Sequence, residues 1–136
     1  LRLAKVIRGD GFKVTFSGEA SDELWGSYEM SYHGIRKEGW YRYRRNLTAR
    51  QAGKNFARVN KVFMAAGVEA RLPFCDPELV DYALSLPETA VRTGKDPSSR
   101  KAVLSKAYTG VLPERVLHRP KLPFQTGLGL VAPLPD

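Results

Sequence analysis

The chain is poor in cysteine, histidine and long apolar runs. Cys75 stands alone among 136 residues, which excludes an internal disulfide and a thiolate metal cluster and fits a reducing compartment. His33 and His118 lie far apart without a partner at ligand spacing, so both read as structural or surface residues. No apolar run approaches the ~18 residues that a membrane span needs. The opening residues also lack the pattern of a secretory signal, and the chain reads as soluble and cytoplasmic. No repeat or low-complexity tract is present. The length suits one domain, or part of one, with a real core.

Positive charge is abundant, and it is concentrated. The net charge is +8; between Arg36 and Lys61 there are nine Lys or Arg against one acid, Glu38, so this segment carries the whole excess. Electrostatic reasoning therefore applies to the segment rather than to the molecule. Within it, Trp40-Tyr41-Arg42-Tyr43-Arg44-Arg45 interleaves aromatic rings with cations, a pattern able to stack bases and neutralise phosphates. The plainer reading is a partly buried loop with solvated arginines.

The rest of the chain is organised around Val14-Thr15-Phe16-Ser17-Gly18-Glu19-Ala20-Ser21-Asp22-Glu23. Alternation of Phe12, Val14 and Phe16 predicts a strand, and Ser17-Gly18 lets the backbone turn tightly and approach a ligand. Three carboxylates follow, Glu19, Asp22 and Glu23. Ser21 or Asp22 is the expected cap of a helix carrying Leu24, Trp25 and Tyr28 and fading near His33-Gly34. A strand that ends in a glycine turn before a helix is where open α/β sheets bind nucleotides; by itself it is equally an ordinary connection whose acids complement the helix dipole.

Leu1, Leu3, Ala4 and Ile7 have helical spacing up to Gly9-Asp10-Gly11, and a chain opening inside a helical pattern is expected to begin mid-domain. Leu47 to Ala66 predicts the clearest helix, with Ala52, Phe56, Val59, Phe63 and Ala66 on one face and Arg50, Lys54, Arg58 and Lys61 on the other. Gly67 sits where a C-terminal cap belongs. Val68 to Asp76 is extended around Pro73, with Glu69 and Arg71 expected to form a structural ion pair. Asp76-Pro77-Glu78 opens another helix that Pro87 stops. Ser98 or Ser99 is expected to cap a further one, with Lys101 in its first turn, where a cation opposes the dipole and calls for a nearby anion. Leu112 to Leu117 adds a helical turn before the proline-stiffened loop around Lys121.

The stretch Ser17 to Tyr28 resembles the S-G-E-G-x-D-E-[LV]-[FW]-G-G-Y signature of the glutamine-dependent asparagine synthetase family, with Ala20 and Ser27 in place of glycines. Arg58 to Asp76 resembles the family's second block, R-x-[ND]-[KR]-x-x-M-A-x-G-V-E-A-R-x-P-F-x-D, and Leu112 to Phe124 its closing L-P-x-x-[IV]-x-x-R-x-K-x-x-F segment. The resemblance implies an α/β fold, the mostly helical C-terminal part of an ATP pyrophosphatase domain with one clear strand. It divides the chain into a partial synthetase domain, 1–127, and a tail, 128–136. It also implies ATP-dependent adenylation of an aspartate-like carboxylate, then amide formation with ammonia from glutamine, releasing AMP and pyrophosphate. Carried over, Ser17 and Gly18 lie against AMP, Asp22 holds Mg²⁺, Lys101 and Lys121 flank the phosphates, with Lys121 catalytic, and Glu19 sits near the incoming nitrogen.

Two family features are missing from this sequence: an S-G-G-x-D-S phosphate loop and a glutaminase domain with a terminal cysteine nucleophile. Glu19 prevents Ser17-Gly18-Glu19 from substituting for the loop, because it puts a carboxylate where backbone amides should cradle phosphate. The chain alone is therefore expected to be inactive, and to need a glutaminase domain and a phosphate-loop segment from the same or a separate polypeptide; a homodimer is compatible with this. Related lactam-forming enzymes tend to carry Tyr at the position of Glu19 and an acid near Gly53, neither of which is found here. Other amide chemistry in a biosynthetic pathway, a nucleic-acid-binding module using residues 36–61, and a non-catalytic scaffold are the competing readings.

Overall fold

The structure, a computed structural model, describes residues 1–28, 31–92 and 101–119. It is mostly helical, around a small parallel sheet. Helix α1 (Arg2–Gly9) leads into strand β1 (Val14–Phe16), as the alternation predicts. β1 pairs in parallel with β2 (Glu69–Arg71), setting Val14 opposite Glu69 and Phe16 opposite Arg71. The ladder runs one bond further at each end, from the Glu69 N–H to the Lys13 carbonyl at 2.7 Å and from the Ser17 N–H to the Arg71 carbonyl at 2.9 Å. β2 is a second strand where the sequence suggested only extended chain. Pro73 ends it by starting a 3₁₀ turn, Pro73–Cys75. Glu69 and Arg71 do pair, at 2.8 Å, but with both side chains more than half exposed; such a pair contributes little.

Parallel strands require a long crossover, and here four helices supply it: α2 (Ser21–Leu24), α3 (Ser31–Glu38), α4 (Trp40–Arg50) and α5 (Ala57–Met64). Three of the sequence expectations are corrected in this region. The helix after the acidic turn is a single turn long, with neither Ser21 nor Asp22 at its cap; Ala20 holds that place in the left-handed region, φ 74°. Residues 40–45 are helix, not loop. The expected helix from Leu47 to Ala66 is divided by a π-helical turn, Ala52–Phe56, which contains Gly53. A π turn admits an extra residue and so rotates the downstream face. Val59 is accordingly buried while Ala52 is exposed.

After β2 come α6 (Pro77–Ser85) and α7 (Glu88–Val91), then α8 (Ala102–Ala107) and α9 (Glu114–Leu117). Asp76 caps α6 as expected, its carboxylate accepting from the Glu78 and Leu79 N–H groups. Lys101 takes the cap position of α8 rather than its first turn. The expected caps Ser98 and Ser99, Lys121 and the tail 128–136 lie outside the described residues. Among the described residues no helix is long and apolar enough to cross a membrane.

The core gathers Leu24, Trp25, Ala83 and Val91, with Trp40, Leu84 and Leu86 packed on it. Arg44 runs through this core, 0 % exposed. Its guanidinium donates to the carbonyls of Leu24 at 3.1 Å, Ala83 at 2.8 Å, Leu84 at 3.0 Å and Leu86 at 3.2 Å. These carbonyls lie at the ends of α2 and α6, where the backbone leaves acceptors over; that of Ala83 also takes the Leu86 N–H, at 3.3 Å. The guanidinium carbon lies 3.9 Å from the centroid of the Trp40 ring, and the Trp40 indole N–H donates to the Leu86 carbonyl at 2.7 Å. Burial, then the neighbouring Arg92 charge, lowers the Arg44 pKa to about 10; it is still a cation at neutral pH. Trp40 and Arg44 therefore drop out of the aromatic and basic surface that the nucleic-acid reading required.

Two stability measurements follow from this packing. Arg44→Ala strands buried carbonyls at two helix ends and is expected to cost about 3–5 kcal/mol in denaturant unfolding. Arg44→Lys is expected to recover little of it, because one ammonium cannot span the same acceptors or lie flat on Trp40. Gly34 lies where α3 crosses α4: an added Cβ would fall 2.7 Å from Cζ of Tyr43 and nearer still to two other ring atoms. Gly34→Ala is thus expected to cost about 1–3 kcal/mol, and a second change, Tyr43→Ala, to lower that penalty in a double-mutant cycle.

Candidate active site

The candidate site lies at the carboxyl ends of β1 and β2, the position where open parallel sheets bind ligands. β1 hands over to Ser17, which is half-buried, and to the exposed Gly18. Glu19 comes next. The positive φ of Ala20 then reverses the backbone into α2, and holding an alanine there costs of order 1–3 kcal/mol. The strain is confined to a buried residue between Glu19 and Ser21, so the turn is fixed by what surrounds it. β2 delivers Leu72 and the Pro73–Cys75 turn to the same end of the sheet. The Cys75 thiol pKa is raised by its burial, with the charges of Glu23 and Glu19 adding to the effect.

Asp22 is the centre of the site. Its Oδ1 accepts from the Lys101 ammonium at 2.7 Å and from the Ser27 hydroxyl at 2.6 Å. Lys101 also donates to the Ser21 hydroxyl at 2.8 Å, across 80 positions of sequence. Asp22 and Lys101 are each about three-quarters buried, with side-chain exposures of 25 % and 30 %. Sheltered to this degree, the pairing is less screened than an exposed ion pair. Glu19 is equally sheltered and faces Arg58 of α5 at 3.6 Å.

Glu23 points the other way, into the core, where its Oε1 accepts from the Tyr28 hydroxyl at 2.6 Å. Burial, that bond and the charges of Glu23, Asp22 and Glu19 raise the Tyr28 pKa far above the ordinary phenol range. Tyr28 therefore stays a neutral donor at any physiological pH and satisfies a buried carboxylate that would otherwise be costly.

Of the residues expected from sequence, the structure brings Asp22 and Lys101 into contact and sets Ser17, Gly18 and Glu19 in the adjoining turn. Lys121 falls outside the described residues. Sequence reasoning missed Ser21, Ser27, Tyr28 and Arg58. Ser27 carried a signal, a hydroxyl where the similar signature has glycine, and Arg58 opened the second family-like block. The two histidines stay apart: His33 is exposed, and His118 pairs on the surface with Glu114 at 2.9 Å. Among the described residues no group of three His, Cys, Asp or Glu side chains is placed to hold a metal by itself.

Comparison with known proteins places the chain in a family. A family model described as asparagine synthase matches residues 1–60 and 44–132. A glutamine-hydrolysing asparagine synthetase of Triphysaria versicolor is 33% identical over 132 residues, covering 93% of this chain and 22% of its own length. The corresponding protein of Asparagus officinalis gives the same identity and coverage. Asparagine synthetase B of Escherichia coli is 33% identical over 93% of this chain and 23% of its own. The chain thus spans less than a quarter of the length of these relatives. With matches that together run from residue 1 to residue 132, the chain belongs to the asparagine synthase family.

Proposed function

We propose that this chain forms part of an ATP-dependent ligase that adenylates an aspartate-like carboxylate and converts it to an amide with ammonia from glutamine, releasing AMP and pyrophosphate. The observation that carries this reading is the meeting of Asp22 and Lys101, from distant parts of the chain, at 2.7 Å at the carboxyl end of a parallel strand pair. The strand order and the helical crossover suit the C-terminal part of an ATP pyrophosphatase domain. The relatives' names, glutamine-hydrolysing asparagine synthetases, support the amide-forming chemistry.

Each residue then has a task. Ser17 and Gly18, at the strand end, leave room for the nucleotide to lie against backbone. Lys101 places an ammonium beside the departing phosphates, and Lys121 adds a second. Asp22 suits Mg²⁺, which takes one or two carboxylates and completes its shell with phosphate oxygens and water; that habit needs no closed cage, and among the described residues none is present. Bound there, Mg²⁺ would supply positive charge to the leaving pyrophosphate. Glu19, one turn away, holds the incoming nitrogen by a hydrogen bond and takes its proton as the amide forms. Arg58, 3.6 Å away, helps to aim that carboxylate.

The partners in this reading are a glutaminase domain and a phosphate-loop segment, on the same or a separate polypeptide, with homodimerisation and a cytoplasmic setting compatible with it. In that assembly, Asp22→Asn and Lys101→Ala are each expected to lower amide formation by about 10²–10³-fold while glutamine hydrolysis persists. Undiminished synthesis in both variants would remove the proposed roles. The 136-residue chain by itself is expected to give no ATP–pyrophosphate exchange, and measurable exchange would overturn the need for partners.

A further inference from the structure

We infer that Ser27 is a positioning residue for the Asp22 carboxylate, a device this chain has and the similar signature, with glycine at that place, lacks. The inference rests on the proposed role of Asp22 as a metal ligand and adds a residue to it.

The geometry comes from the way α2 ends. Gly26 takes a left-handed conformation, φ 61°. Its N–H donates to the Glu23 carbonyl at 3.3 Å, and the Ser27 N–H reaches back to the Asp22 carbonyl at 3.0 Å. Those two bonds define a Schellman ending, in which the residue after the left-handed glycine folds over the third-last residue of the helix. The usual contact between that pair is apolar. Here Asp22 and Ser27 occupy the two places, and the contact is a 2.6 Å hydrogen bond from hydroxyl to carboxylate. The same two residues are thus joined twice, once through backbone and once through side chains.

Ser27 is fully buried, so its hydroxyl needs an acceptor, and that need alone explains a bond of some kind. What goes further is where the bond lands: on the same Oδ1 that takes the Lys101 ammonium. Two donors converging on one oxygen hold the carboxylate in a single rotamer and fix the direction of the other oxygen. The bond is charge-assisted and short, the stronger class of hydrogen bond. Gly26 cannot be replaced easily to loosen it, since an added Cβ would meet the Trp40 ring at 3.1 Å. The hydroxyl is therefore carried on a stiff base that reaches down to Arg44. Outer partners of this kind typically change metal affinity by about 10–100-fold when removed.

The test uses the ¹⁵N-labelled 136-residue chain titrated with Mn²⁺, reading the paramagnetic broadening of backbone amides, which detects binding down to millimolar affinity. The wild-type chain is expected to broaden around Asp22, Asp22→Asn to lose that broadening, and Ser27→Ala to need about 10–100 times more Mn²⁺. Ser27→Thr, which restores the hydroxyl, is expected to recover affinity. Wild-type binding by Ser27→Ala, with binding lost in Asp22→Asn, overturns the positioning role and leaves the metal reading standing. Unchanged binding in Asp22→Asn, or no broadening near Asp22 in the wild type, overturns both. Should Ser27→Ala fail to give a folded spectrum, Ser27→Gly serves in its place, and failure of both to fold assigns Ser27 a purely structural role and overturns the inference.

Discussion

A buried guanidinium holds this structure together. Among the described residues no carboxylate is hydrogen-bonded to Arg44; it answers instead to the carbonyls of Leu24, Ala83, Leu84 and Leu86. Helix ends accumulate partial negative charge, and placing two of them around one cation removes several unmet acceptors at once. Trp40 covers one face of that cation and Arg92 approaches the same ring, 5.2 Å from its centroid. The consequence is a rigid joint between the end of α2 and the end of α6.

The candidate site is carried on that joint. α2 is too short to be stable alone, yet it presents Ser21 and Asp22 because Leu24 and Trp25, immediately after them, are locked in the core. On the other side, Arg92 is bound to Glu88, with its Nε 2.9 Å from Glu88 Oε1, just before the chain continues to Lys101. Packing, not propensity, decides where the two charges meet. The turn at Ala20 shows the same logic, since a left-handed alanine persists only where its surroundings insist on it.

Much of this was legible from residues alone. Alternation found β1, Asp76-Pro77 found the start of α6, and Leu112–Leu117 signalled α9. β2 escaped because three residues cannot show a period, and its pairing is tertiary. α4 escaped for a chemical reason: the inward position that periodicity expects to be apolar is taken by Arg44, so the helix read as a basic surface loop. The π turn left no signal beyond Gly53 inside a helical pattern. At the site, spacing alone could not distinguish a ligand-binding turn from an ordinary connection, and no pattern links Asp22 to Lys101. Only the family likeness joined them. Ser27 was visible as a departure from glycine, but its reach to Asp22 depends on a left-handed Gly26 that sequence does not declare.

The outer face of the strand pair carries a separate implication. Val14 and Phe16 lie on one side of β1 with 40 % and 74 % exposure, and Phe12 continues the row at 62 %. Parallel sheets are ordinarily covered on both faces, and a bare aromatic row on one of them is a surface for association. Handled by itself at high concentration, the chain would be drawn toward assembly through this face. Its solution behaviour would then be governed by a surface that ends, at Phe16, beside the turn carrying the candidate site.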